Sequence, residues 1–172
     1  MNQAGAFCVQ ARSDFNVFLR LEAQARDDVP ECHPLHYLQM AGEKLAKAII
    51  AAENKDPTHT HLGLTTVLQS LRRREVGRAL GYQDFNVYQK ALDSHKRIMR
   101  EVEKLHSTSG GPDNVEYPWE TRDAGLRPVW VAPARHTFGT LKKLSNRKLI
   151  NDLRLLLDRL PGLYPRVGAT QA

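Results

Sequence analysis

His36-Tyr37-Leu38-Gln39-Met40-Ala41-Gly42-Glu43-Lys44-Leu45-Ala46-Lys47-Ala48-Ile49-Ile50 reads as an amphipathic helix. Leu38, Ala41, Leu45, Ala48, Ile49 and Ala52 recur at intervals of three and four, which places them on one face. Glu43 and Lys47 stand four apart with the acid first, the order that favours an intrahelical pair. Ala41 and Gly42 are small enough to let a neighbouring backbone approach. Pro34 suits the first turn, where its missing N–H costs nothing. Asn54-Lys55-Asp56-Pro57 ends the helix near Glu53.

The same period recurs on either side. A first helix is expected from about Asp14 to Arg26, with Ser13 as its N-cap and Phe15, Phe18 and Leu19 on one face. Pro30 breaks it. A third helix is expected from near Thr60, through Leu64, Val67, Leu68, Leu71 and Arg72-Arg73-Arg74, to Leu80, with Gly81 as its stop. A fourth and longest helix starts at the cap Asp84. Its apolar side carries Phe85, Val87, Tyr88, Ala91, Leu92, His95, Ile98, Met99, Val102 and Leu105, and Ser107 to Pro112 stops it.

The pattern changes after Pro112. Four of the nine prolines and both tryptophans fall between Pro112 and Pro133. Val129-Trp130-Val131 fits a short strand, and the segment reads as an ordered, extended insertion in which Tyr117, Trp119 and Trp130 are buried. A last helix is expected from Leu141 to Leu160, closed by Pro161-Gly162. The fold expected is all-α. One domain over 1–172 forms an up-and-down bundle of about five helices, with a core over 13–106, an aromatic and proline-rich insertion over 112–137 and a C-terminal helix over 138–161.

Composition narrows the class. The chain has 172 residues, 41% hydrophobic and 26% charged, as a water-facing globular domain does. It lacks an apolar run of about 18 residues, so no membrane partner is expected. The start of the chain lacks a secretory pattern. Two cysteines, Cys8 and Cys32, are too few for a disulfide framework, so a reduced, cytoplasmic setting is expected. The net charge is +6. Residues 1–60 carry −2, residues 61–110 carry +4 and residues 111–172 carry +4, which directs attention to the later segments as a polyanion surface.

Over residues 34–71 the sequence resembles the HEPN superfamily (higher eukaryotes and prokaryotes nucleotide-binding). The Glu43-Lys44-Leu45-Ala46-Lys47-Ala48 helix and the Thr60-His61-Leu62 entry to the next helix carry the resemblance. Glu43, Lys47 and His61 are its structural motif here. The resemblance implies a helical bundle, often a homodimer, found in prokaryotic toxin–antitoxin and defence systems. Some members are metal-independent endoribonucleases. Others are non-catalytic partners of nucleotidyltransferases or RNA- and nucleotide-binding modules. Catalytic members carry an arginine followed at a short distance by a histidine, and Arg100 to His106 has that spacing, with five residues between. Arg26 to His33 fits the spacing too, but it precedes the Glu43 helix and is in the wrong order for the family. Glu101 follows Arg100, where active members often carry Asn.

In this reading His106 moves the 2′-hydroxyl proton of RNA and Arg100 holds the phosphate. The competing reading makes them an ordinary helix end. Arg72, Arg73, Arg74 and Arg78 form the densest basic run, and Lys142 and Lys143 begin a second near Arg147-Lys148. Each reads equally as a phosphate-binding patch or a solvated helix end, and neither has aromatic residues interleaved in sequence. His33, His36, His59 and His61 suggest metal ligands, but they lack zinc-site spacing. No metal and no cofactor is expected. Two functions stay open: an RNA-binding, defence-type protein that is catalytic or not, or a non-catalytic interaction module that pairs with an antitoxin or a nucleotidyltransferase.

Overall fold

Asn2 starts the first helix: its side-chain oxygen accepts from the Gly5 N–H at 2.9 Å, as an N-cap does. Helix α1 therefore runs Gln3–Gln24, well upstream of Ser13, which is an exposed residue inside it. The inner face explains the difference. Ala4, Cys8, Ala11, Phe15 and Phe18 are buried in one row, but the first three are small and leave little amphipathic signal. The computed structural model describes residues 1–24, 29–57, 63–105, 115–116, 118–144 and 147–168.

Helix α2 spans Cys32–Ala52; it starts two residues before the expected Pro34, so His33 lies inside it, and it ends as the spacing predicts. It pairs with α1 more extensively than any other two helices pair. Ala41, Leu45, Ala46, Ala48 and Ile49 are buried. Lys47 Nζ lies 2.6 Å from Glu43 Oε1, so the expected pair forms. Burial works against ionisation of Glu43, but hydrogen bonds and charge from Lys47 and Lys44 hold its carboxyl below the usual range.

The predicted third helix is broken. A 3-10 turn over Leu64–Val67 leads into α3, Leu68–Leu71, and α4 follows at Arg74–Ala79. Side chains take the carbonyls that a continuous helix would use. Tyr88 Oη donates to the Leu71 oxygen at 2.6 Å, and Arg73 Nε donates to the Ser70 oxygen at 2.8 Å. Arg73 is extended, with φ −121 and ψ 146. The 3-10 turn is anchored by Glu103, which accepts from the Thr65 N–H at 2.8 Å and the Thr65 hydroxyl at 2.5 Å. A Cβ at Gly63 would overlap that carboxyl. The predicted start at Thr60 lies outside the described residues.

Gly81, at φ +86, turns the chain into α5, Phe85–Lys104. Asp84 caps it by accepting from the Asn86 N–H at 2.7 Å. The insertion holds a hairpin: β1, Trp119–Arg122, pairs antiparallel with β2, Pro128–Val131. Asp123 shapes the turn by accepting from the Gly125 and Arg127 N–H groups, each at 2.9 Å. Trp119 packs edge-on against His136, with ring centroids 5.2 Å apart. Trp130 corrects the expectation of burial. It pairs with Glu120, alternates away from Trp119 and is 72% exposed. Tyr117 lies outside the described residues.

The predicted last helix is two pieces, α6, Thr140–Leu144, and α7, Lys148–Leu163, and a further short helix, α8, Pro165–Gly168, follows it. Arg147, at φ 52, separates the first two. Pro161 does not end α7 as predicted but sits inside it. The proline leaves the Leu157 carbonyl without its helical donor, and Arg12 Nη2 supplies one at 2.8 Å. Eight α-helices thus form the all-α bundle among the described residues, around a core that includes Phe18, Leu35, Ile49, Leu71, Tyr88, Ile150 and Leu160. None of these helices is long and apolar enough to cross a membrane.

Candidate nucleic-acid interface

Helix α5 has two sides of opposite chemistry. Tyr88, Ala91, Leu92, His95, Met99 and Val102 face inward. Lys90, Asp93, Arg97, Arg100 and Lys104, at alternating steps of three and four, form one exposed row. Lys90, Arg97 and Arg100 have no acidic partner among the described residues. Lys90 and Arg97 escaped the sequence reading. Their signal was available in the helical period, as a cationic stripe opposite the apolar one.

A buried polar network fixes the inner side. His95 Nε2 lies 2.8 Å from Asp152 Oδ2 on α7, and Tyr82 Oη donates to the same oxygen at 2.5 Å. Burial resists the Asp152 charge, but the hydrogen bonds from His95 and Tyr82 outweigh it and hold the carboxyl below the aspartate range. Burial, reinforced by the Asp152 charge, pushes the Tyr82 and Tyr88 phenols far above theirs. Cys8 and Cys32 are free and buried, and burial raises both thiols, which makes them poor nucleophiles. Gly77 lets α4 sit on the Tyr88 ring: a Cβ there would come within 2.9 Å of it.

The arginine run divides its work. Arg72 reaches α5, donating to Gln89 Oε1 at 2.6 Å and to the Asp93 carboxylate. This occupies the one acid of the exposed row and brings Arg72 onto the row at Asp93, between Lys90 and Arg97 in the helix. Arg73 stacks over Tyr164 at 4.8 Å, and Arg74 over Phe85 at 5.1 Å. The aromatic neighbours that the sequence order hides are therefore present, brought in from α5 and the end of α7. Lys148 covers Tyr82 at 4.5 Å in the same way. Arg78 and Lys142 are exposed. Lys143 pairs with Glu101 at 2.7 Å, a surface contact that joins α6 to α5.

The arrangement can hold a row of phosphates, because exposed guanidinium groups donate charge-assisted hydrogen bonds to them. Arg100 is in the row. His106 and His61 lie outside the described residues, as does His59. Among the described residues, no group of three or more His, Cys, Asp or Glu side chains is placed to hold a metal. The chain matches no model of a known protein family, no curated protein and no solved structure.

Proposed function

We propose that this protein is a HEPN-like, RNA-binding helical protein of a prokaryotic defence or toxin–antitoxin-type system, acting as a homodimer in the cytoplasm. The observation that carries the RNA-binding reading is the α5 row: Lys90, Arg97 and Arg100 share one exposed face without acidic partners among the described residues, and Arg72 is held on the same helix by Gln89 and Asp93. The sequence resemblance over 34–71 supplies RNA as the polyanion. Metal-independent cleavage, with Arg100 holding the phosphate and His106 as the proton carrier, is part of the same proposal; the exposure of Arg100 in the row supports the first role.

Fluorescence anisotropy with a labelled RNA at 50 mM and 200 mM salt tests the binding. Affinity should fall steeply with salt and should fall again in Arg97→Ala/Arg100→Ala. Incubating RNA with a chelator, beside Arg100→Ala and His106→Ala, tests cleavage. Equal products from all three proteins remove the catalytic part. The second reading, a non-catalytic interaction module, is favoured by the hairpin, where Trp130 and Leu126 are 72% and 70% exposed.

A further inference from the structure

We infer that the α5 row receives the backbone of a duplex rather than a single strand. The inference rests on the RNA-binding reading and narrows it. Proteins that hold single strands combine cations with open aromatic faces on which bases stack. Here the rings that meet cations on α4 and at its start, and on α7, are not open. Tyr164 is buried beneath Arg73, Phe85 is capped by Arg74, Tyr82 is capped by Lys148, and Tyr88 is buried with its hydroxyl committed to Leu71. Trp130 is the one strongly exposed tryptophan, tyrosine or phenylalanine among the described residues, and it stands on the β1–β2 hairpin rather than in the row.

The cations themselves suit a regular backbone. From Lys90 to Arg100 the row extends about 15 Å, at 1.5 Å per helical residue. Its helix is held from behind by His95 on Asp152 and from the side by Arg72 on Gln89 and Asp93. A stiff line of charges meets a partner whose phosphates are already ordered without having to immobilise a flexible chain. Duplex RNA is recognised through phosphates and shape rather than through splayed bases. The ligand chemistry is therefore the phosphate array of a nucleic-acid duplex.

The test compares one labelled 20-nucleotide RNA as a single strand and as a duplex, beside a DNA duplex of the same sequence, by anisotropy at 100 mM salt. The full chain, Arg97→Ala/Arg100→Ala and Trp130→Ala are measured, with circular dichroism to establish that each variant folds. The RNA duplex should bind at least about tenfold more tightly than the single strand. The double variant should lose most of that binding and lower the salt slope by about 2, from two phosphate contacts. Trp130→Ala should bind as the parent does. Single-strand binding that equals or exceeds duplex binding, or a threefold loss in Trp130→Ala, overturns the inference and leaves RNA binding standing. A DNA duplex that binds as tightly as RNA overturns the choice of RNA and leaves the duplex inference standing. Binding to none of the three overturns both.

Discussion

Replacing Arg12 shows how α7 tolerates a proline in its interior. Pro161 has no N–H, and the carbonyl it leaves without a helical donor belongs to Leu157, whose side chain is buried. Arg12 Nη2 donates to that oxygen at 2.8 Å. The same nitrogen is 3.4 Å from Asp158 Oδ1, but these side chains are 46% and 55% exposed. Solvent screening limits that ion pair to a few tenths of a kcal/mol. The bond to the carbonyl involves a charged donor and is worth about 1.5–3 kcal/mol. Arg12→Ala should therefore cost about 2 kcal/mol. Pro161→Ala restores an N–H directed at the Leu157 oxygen, so in that background the loss of Arg12 should cost about 1 kcal/mol less. Urea unfolding of the parent, both single variants and the double variant gives the coupling. Costs that add to within about 0.3–0.5 kcal/mol would refute the reasoning.

Gly77→Ala should lower the thermal midpoint. The alanine gains about 1 kcal/mol of helix propensity but drives a methyl group to 2.9 Å from the buried Tyr88 ring, an overpacking cost of about 1–3 kcal/mol. Asp152 makes stability depend on pH. Because its folded value is depressed, its contribution is complete above the unfolded aspartate value near pH 4 and is lost as pH falls below that. The urea midpoint should drop between about pH 5 and pH 3, and Asp152→Asn should flatten the drop in part, since Glu43 and Glu53 are depressed as well and titrate in the same direction. Trp130→Ala should change unfolding stability by no more than about 0.5 kcal/mol, because most of the ring is already in solvent.

What the sequence made legible follows its periodicity. Helix α2 and its Glu43–Lys47 pair, and α5 with its Asp84 cap, depend on contacts within one helix, which spacing reports directly. The start of α1 was missed because Ala4, Cys8 and Ala11 carry little hydrophobic contrast, although they are buried. The interruptions depend on partners distant in sequence. Tyr88 takes the Leu71 carbonyl and so helps separate α3 from α4, and Arg12 rescues Leu157 and so lets Pro161 remain in α7. The candidate interface divides in the same way. Arg72 and Arg100 were visible as charges, but their shared face depends on Arg72 reaching Gln89 and Asp93. The His95–Asp152–Tyr82 network was hidden because its members come from α5, α7 and the chain between α4 and α5. A histidine within an apolar stripe and an aspartate within a leucine-rich helix were its only local marks.

The most direct test of the RNA-binding reading is the slope of log affinity against log salt for the full chain and for Lys90→Ala/Arg97→Ala/Arg100→Ala on one RNA. Three lost phosphate contacts should reduce the slope by about 2–3 and weaken binding at low salt by at least tenfold. An unchanged slope and affinity in a folded variant would place RNA elsewhere or nowhere on this protein, and would contradict the α5 row as its binding face.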